Sequence, residues 1–155
     1  MTSLSNKKEK YNQLNNTVDL LIKNEKNLTA NLANICAAIK EIMGFFWVGF
    51  YLVKNKELVL APFQGSVACT RIKKGRGVCG IAWEKNMTII VENVNKFDGH
   101  IACSSLSKSE IVIPIRKNNR VYGVLDIDHD KYKTFNLIDK KYLVKITKGI
   151  EKKIN

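Results

Sequence analysis

A change of hydrophobic period near residue 45 constrains the fold of this chain more than any other feature. Before it, apolar residues recur at the spacing of amphipathic helices in two segments. The first covers about 8–26, and the second follows Asn27, a residue suited to an N-cap, and ends at Gly44. Their apolar positions are Tyr11, Leu14, Val18 and Leu21, followed by Leu28, Leu32, Ile35, Ile39 and Ile42. We therefore predict two N-terminal helices, within about 8–43, that each bury one face.

After residue 45 the apolar residues alternate with a period of two, which is typical of strands. Two pairs of such runs flank the short turns "KNK" and "KNN" and are predicted to be hairpins. A short helix is expected near Ile81–Lys85, and a closing helix at about 137–154. The predicted strands are 45–53, 56–62, 87–92, 110–116 and 120–128. This order indicates an α+β fold in which N- and C-terminal helices pack on one face of a central antiparallel sheet.

The length and composition are those of a single globular domain across residues 1–155. A content of 45% hydrophobic residues is enough for a real core, and the longest apolar runs are too short to span a bilayer. The N-terminal segment has no apolar stretch like that of a secretory signal. We therefore expect a soluble, cytoplasmic protein without a membrane partner.

The formal net charge of +12 suggests nucleic-acid binding, which needs clustered cations. Arginine, however, is the residue best suited to phosphate and base contacts, and it occurs at four positions in the whole sequence. The lysines are spread along the chain. The charge is therefore interpreted as a solvated, lysine-rich surface, and no nucleic-acid partner is expected.

Two long segments without a regular period hold three of the four cysteines. Cys69 and Cys79 lie in the segment 63–80, which leads into the short helix, and Cys103 lies in the segment 93–109. Loops of this length are uncommon in a compact domain unless they are functional. The fourth cysteine, Cys36, adjoins the apolar stripe of the second helix and is expected to be a small core residue.

Strand parity predicts a polar site on the face of the sheet that the helices do not cover. Trp47 and Tyr51 share that face in the first strand, Glu110 does so in the fourth, and Asp126 and Asp128 do so in the fifth. The residues assigned to the helix-facing side are Phe46, Val48, Phe50, Leu52, Ile111, Ile113, Ile115, Leu125 and Ile127. Loops folded over the polar face would form a lidded pocket. Because crowded carboxylates repel each other, at least one should hold a proton at neutral pH.

Two short motifs resemble ligand-binding signatures but lack the structural context of those signatures. "GRGVCG" places Gly75, Gly77 and Gly80 at the spacing of a dinucleotide fingerprint, yet no parallel strand–helix alternation follows it. These glycines are expected to permit a close approach to a ligand or a crossing of loops. "DIDHD" resembles the start of a calcium loop, but Lys131 and Leu137 occupy the positions that need glycine and glutamate.

The loop thiols leave three kinds of chemistry open. Cys69, Cys79, His100 and Cys103 are zinc-ligand types, although their spacing is not that of a zinc knuckle. His100 and Cys103 could also form the pair of a cysteine acyl transferase, but an orienting group is not evident. Redox chemistry needs a nucleophilic thiolate and a resolving thiol within reach, and this requirement fits the loop cysteines best. No metal and no cofactor is therefore predicted.

Four segments together resemble the GAF-domain free methionine-(R)-sulfoxide reductases. They are "WVGFYLV", "APFQGSVACTRIKKGRGVCGIAW", "GHIACSSLSKSEIVIPI" and "GVLDIDHD", and the match runs from about Phe45 to Leu143. The resemblance implies a GAF fold, of a kind that often forms homodimers. It also implies reduction of free L-methionine-(R)-sulfoxide to methionine.

The resemblance assigns roles to the three loop cysteines. Cys103 matches the catalytic cysteine, which attacks the sulfoxide sulfur and becomes a sulfenic acid. Cys69 matches the main resolving cysteine, which implies a Cys69–Cys103 disulfide that thioredoxin would reduce. Cys79 matches a third family cysteine that lies nearer the substrate or serves as an alternative resolver. One departure is Ser104, which stands where family members commonly carry an aspartate.

The resemblance also assigns roles to the residues of the predicted polar face. Glu110, Asp126 and Asp128 match carboxylates that surround the sulfoxide oxygen and the substrate amine, where one of them protonates the departing oxygen. Trp47 and Tyr51 match aromatic residues that line the pocket for the methyl group. The alternative within the same fold is a small-molecule sensor, such as one for a cyclic nucleotide, without catalysis.

Overall fold

The computed structural model describes residues 3–154, which form helices packed against one antiparallel sheet. The helices are α1 (Ser3–Ile22), α2 (Leu28–Met43), α3 (Gly77–Lys85) and α4 (Leu137–Ile154), with a short 3-10 turn at Val94–Lys96. The strands are β1 (Trp47–Lys54), β2 (Glu57–Gln64), β3 (Arg71–Lys73), β4 (Ile89–Val91), β5 (Ser109–Lys117) and β6 (Arg120–His129). Their spatial order is β3-β2-β1-β6-β5-β4. The predicted α+β class and antiparallel sheet are confirmed.

The second helix begins and ends where its capping residues predict. The side chain of Asn27 accepts a hydrogen bond from the Ala30 amide at 2.9 Å. Gly44 has a φ of +73° and donates its amide hydrogen to the Lys40 carbonyl oxygen at 2.9 Å. Glycine adopts this left-handed conformation without steric strain, and a residue in that conformation ends the helix.

The first helix differs from the prediction at both ends. It begins at Ser3 instead of about residue 8, in a polar stretch that carries no apolar period. It ends at Ile22, because the four residues that follow are exposed and provide no apolar side chain to bury. The assignment of Leu21 to its buried stripe was wrong: Leu21 is 38% exposed, and Ile22 is the buried residue.

The two faces of the sheet pack against different partners. Val48, Phe50 and the isoleucines of β5 join α1, α2 and α4 in the main core. Trp47 and Tyr51 belong to a second cluster on the opposite face, which includes residues of α3 and of the loops. The parity prediction is therefore confirmed in β1, β5 and β6, with one exception. Phe46 packs against the second cluster, because β1 begins after it and the alternation does not reach it.

Part of the predicted loop at 63–80 is regular structure. Arg71–Lys73 forms the edge strand β3 against β2, and α3 begins at Gly77, four residues before the predicted start at Ile81. A Cβ atom at Gly80 would collide with the backbone oxygen of Lys73. Here the expectation that a glycine permits a close crossing of segments is confirmed. Across residues 3–154, none of the helices combines the length and hydropathy that crossing a bilayer requires.

A buried carboxylate joins the first and last helices, and this contact allows a test of the fold. Asp139 of α4 is fully buried and accepts hydrogen bonds from the Tyr11 hydroxyl at 2.6 Å, from Lys7 Nζ at 2.6 Å and from the Asn136 amide at 2.7 Å. Tyr11→Phe removes one donor from this buried group, so we expect the free energy of unfolding to fall by about 1–3 kcal/mol. Urea denaturation of the reduced protein measures it.

Tyr142→Phe is the matched control for that substitution. The Tyr142 ring stacks on Tyr11 with a centroid distance of 5.1 Å, but its hydroxyl makes no hydrogen bond within residues 3–154. We expect this variant to unfold at nearly the wild-type urea concentration. Equal losses in both variants would show that ring packing, and not the Asp139 hydrogen bond, carries the effect.

Candidate active site

A pocket opens on the face of the sheet opposite the main core. Its floor comes from β1, β5 and β6, and its walls come from α3 and the two loops that precede α3 and β5. The residues around it include Trp47, Tyr51, Cys79, His100, Cys103, Ser107, Glu110, Asp126 and Asp128. The structure thus brings together in one pocket all the site residues predicted from sequence except Cys69, which is bonded to one of them.

Cys69 and Cys103 form a disulfide at the wall of this pocket. Their Cα atoms are 5.4 Å apart, and the bond joins residues separated by 34 positions in the sequence. This is the pairing implied by the family resemblance. It leaves Cys79 and Cys36 as the free thiols of residues 3–154. The zinc-ligand set considered from sequence cannot form in this oxidised state, because two of its four members are bonded to each other.

Two aromatic residues of β1 hold the loop that carries Cys69. The Tyr51 hydroxyl donates to the Cys69 carbonyl oxygen at 2.8 Å, and Trp47 Nε1 donates to the Ser66 carbonyl oxygen at 2.9 Å. Both side chains point out of the sheet on the pocket side, as their shared parity predicts. They therefore serve as part of the pocket wall and as anchors for the disulfide loop.

The position of the Trp47 ring depends on two glycines. A Cβ atom at either Gly49 or Gly65 would collide with the ring. The ring also stacks on Phe63 with a centroid distance of 5.4 Å and on Tyr51 with a centroid distance of 6.3 Å. The result is a rigid aromatic wall beside the thiols.

Three carboxyl groups converge on the floor of the pocket. Glu110 of β5 pairs with Asp128 of β6, and Val112 pairs with Asp126, so the three acids occupy neighbouring positions on one face. Glu110 and Asp126 are each 6% exposed. Burial, followed by the negative charges of the neighbouring aspartates, raises the pKa of Glu110 well above its ordinary value.

The three acids differ in how easily they ionise. Burial and then the charge of Asp126 raise the pKa of Asp128 well above its ordinary value. Burial raises the pKa of Asp126 to about 6, with the Glu110 and Cys79 side chains acting in the opposite direction. Burial therefore favours the protonated form of all three acids, and Asp126 is the one for which the Glu110 and Cys79 side chains oppose that shift. The expectation that at least one acid holds a proton agrees with these shifts.

Cys79 lies deep in the pocket beside these acids. It is 3% exposed, and its Sγ is 4.0 Å from Glu110 Oε1. Burial, followed by the charges of Asp126 and Glu110, raises the pKa of the Cys79 thiol well above its ordinary value. This environment keeps Cys79 protonated, in contrast to the half-buried loop positions of Cys69 and Cys103.

His100 and Ser107 complete the polar lining. His100 Nε2 is 3.8 Å from Glu110 Oε2, and burial lowers the pKa of the imidazole, so it is neutral at pH 7. Ser107 is buried and hydrogen-bonds to Asp128, which opposes the rise in the pKa of that acid. Sequence reasoning did not identify Ser107, since a serine-rich loop gives no spacing signal for the one serine that faces the pocket.

This chain is similar to known proteins along most of its length. The model of the GAF domain family matches residues 25–151. Free methionine-R-sulfoxide reductase of Escherichia coli is 44% identical over 148 residues, which cover 95% of this chain and 90% of that protein. The chain belongs to the GAF-domain free methionine-R-sulfoxide reductase family.

Two further matches extend this assignment. GAF domain-containing protein A of Dictyostelium discoideum is 58% identical over 150 residues, which cover 96% of this chain and 95% of that protein. The X-ray structure of free methionine-R-sulfoxide reductase from Neisseria meningitidis, in complex with its substrate, superposes with a TM-score of 0.91 at 49% identity. The superposition covers 92% of this chain and 87% of that one. The predicted GAF fold is thereby confirmed.

Proposed function

We propose that this protein reduces free L-methionine-(R)-sulfoxide to L-methionine. The observation that carries the proposal is the Cys69–Cys103 disulfide in the wall of a pocket that also holds three buried carboxyl groups. A thiol pair that can cycle and an acid that retains its proton are the two groups that sulfoxide reduction needs. Membership of the reductase family gives independent support.

In the first step, Cys103 attacks the sulfoxide sulfur. This attack forms a transient bond between the two sulfur atoms. The oxygen then moves to the Cys103 sulfur as the S–O bond of the substrate and the sulfur–sulfur bond break, so methionine leaves and Cys103 becomes a sulfenic acid that carries the former sulfoxide oxygen. The oxygen must gain a proton as its bond to the substrate sulfur weakens. Glu110 and Asp128 are suited to donate it, because both keep raised pKa values inside the pocket.

Asp126 is suited to bind the substrate ammonium group. Its Oδ1 atom is buried and has no hydrogen-bond partner within residues 3–154, which is costly unless a ligand supplies a donor. A free amino acid provides that donor, whereas a methionine inside a polypeptide has no ammonium group. The aromatic wall of Trp47 and Tyr51 is suited to contact the substrate methyl group.

In the second step, the Cys69 thiol attacks the sulfur of the sulfenic acid and releases water, which forms the disulfide. A thioredoxin dithiol then reduces the disulfide and returns both thiols, as expected in the reducing environment of the cytoplasm. Cys79, the remaining thiol of the pocket, would serve as a slower resolver, because its raised pKa leaves little thiolate. Homodimer formation stays a prediction.

The test is an assay on separated epimers of free methionine sulfoxide, with dithiothreitol and then with thioredoxin, thioredoxin reductase and NADPH. We expect consumption of the R epimer alone and one methionine formed per NADPH oxidised. A peptide that contains internal methionine-(R)-sulfoxide is the control and should remain unreduced. Consumption of both epimers or of neither would contradict the proposal, and tight cyclic-nucleotide binding without turnover would favour the sensor alternative.

A further inference from the structure

We propose that the floor of the pocket binds one thiophilic divalent cation, such as Zn²⁺, through Cys79, Glu110 and Asp126. One possible ligand atom from each residue, the Cys79 sulfur and a carboxylate oxygen from each acid, lies within 4.8 Å of the other two. Tetrahedral zinc holds a thiolate at about 2.3 Å and carboxylate oxygens at about 2.0–2.2 Å, which separates adjacent ligands by about 3.5 Å. The three groups therefore need only a small inward adjustment of their side chains.

A second observation, also used above for the substrate ammonium group, points to a positively charged ligand at this position. Asp126 is 6% exposed, and its Oδ1 atom is buried with no partner in the part of the chain that the structure describes. An uncompensated carboxylate oxygen in such a place costs free energy. A cation bound between Asp126 and its neighbours removes that cost.

The residues that carry these ligand atoms lie on regular secondary structure. Glu110 and Asp126 extend from adjacent paired strands of the sheet, and Cys79 lies on α3, which packs over those strands. His100 lies beside this set, with its Nε2 atom 3.8 Å from Glu110 Oε2, but it is not one of the three clustered ligands. Binding of the cation would release the protons of Cys79 and Glu110 to solvent, which leaves one thiolate and two carboxylates as ligands. This set suits zinc better than magnesium or calcium, which prefer oxygen alone.

This site differs from the zinc set that the sequence suggested, since it uses neither Cys69 nor Cys103. The cation can therefore bind whether the disulfide is closed or open. It would occupy the position proposed for the polar end of the substrate, so Zn²⁺ should inhibit reduction competitively. That consequence rests on the proposed function, whereas binding of the cation does not.

Cobalt binding to an untagged Cys69→Ser/Cys103→Ser variant tests the proposal. This variant keeps Cys79 and Cys36 as its thiols and lacks the redox pair. We expect one Co²⁺ per chain, a thiolate-to-cobalt charge-transfer band in the near ultraviolet, and displacement of Co²⁺ by one equivalent of Zn²⁺. Adding Cys79→Ser should remove the band, and adding Asp126→Asn should weaken binding at least tenfold.

The control is Cys36→Ser in the same background. Cys36 is fully buried in the main core and donates to the Pro62 carbonyl oxygen at 3.3 Å, so this change should leave the cobalt spectrum unaltered. Thermal melts identify any variant that has unfolded, and Asp126→Asn provides a second probe if Cys79→Ser is unstable. A band that survives Cys79→Ser, a band lost with Cys36→Ser, or no band in the parent would each overturn the proposal. None of these measurements uses turnover, so a lack of reductase activity would not contradict the proposed cation site.

Discussion

Replacing Cys103 with serine is expected to reduce turnover of free methionine-(R)-sulfoxide to the background rate while the protein remains folded. A serine hydroxyl stays protonated and is a poor nucleophile toward sulfur, and its oxygen cannot become a sulfenic acid. Cys103 lies half-buried in a loop outside regular structure, so an isosteric change there should not disturb the core. Comparison of reduced proteins excludes the stability that the disulfide itself contributes.

Cys69→Ser separates the two proposed steps. Without the resolving thiol, Cys103 should still react once, which gives a burst of about one methionine per enzyme followed by slow turnover through Cys79. A sulfenic-acid trap such as dimedone should label Cys103 in this variant and not in wild type at steady state. Cys36→Ser is the control and should retain wild-type turnover, because Cys36 packs in the main core, away from the pocket.

Two outcomes would contradict these assignments. Undiminished turnover in the Cys103→Ser variant would remove Cys103 as the nucleophile. Wild-type steady-state turnover in the Cys69→Ser variant, without a burst, would remove Cys69 as the resolving cysteine and leave that role to Cys79.

The parts of the site that could be predicted from sequence are those set by strand alternation. In "EIVIPI" the three isoleucines require the buried side of β5, so Glu110 must face the other way. The same argument places the Asp126 side chain on the other face of β6 from those of Leu125 and Ile127. It failed at Phe46, since parity holds only inside a strand and the strand begins one residue later.

The conformation of the loops could not be predicted in this way. A three-residue edge strand such as β3 buries one side chain, Ile72, and leaves no period to detect. The loop anchors are hydrogen bonds from Trp47 and Tyr51 to backbone oxygens, which carry no side-chain signature. The Cys69–Cys103 pairing followed from the family resemblance and not from spacing. The proximity of Cys79 to the acids depends on how α3 packs, which spacing does not encode.

Glu110→Gln is expected to lower kcat/KM for the sulfoxide by about 10²–10⁴-fold, the range typical for loss of a general acid. Glutamine has the same shape and still forms hydrogen bonds, but it cannot transfer a proton to the departing oxygen. The wild-type rate should decline as pH rises through the raised pKa of Glu110, and the variant should lack that decline. A chelator in every assay excludes competition from divalent cations.

The melting temperature of the Glu110→Gln variant distinguishes a loss of catalysis from a loss of folding. The pKa of Glu110 is raised in the folded protein above its ordinary value of 4.5, so its contribution to stability is fully present below that pH. It is lost progressively as pH rises toward the folded-state pKa, because folding must then take up a proton. Glutamine does not titrate, so Glu110→Gln should unfold at a higher temperature than wild type at pH 8 and show little difference at pH 4.

The same substitution at Glu84 is the matched control, because Glu84 is exposed on α3 and does not line the pocket. Glu84→Gln should leave kcat/KM at its wild-type value. If Glu110→Gln keeps wild-type kcat and pH profile, the proton comes from elsewhere, and Asp128 becomes the donor to test through Asp128→Asn. A variant that loses both activity and stability at pH 8 would show that Glu110 has a structural role. Removal of a buried titratable acid should instead raise the melting temperature at that pH.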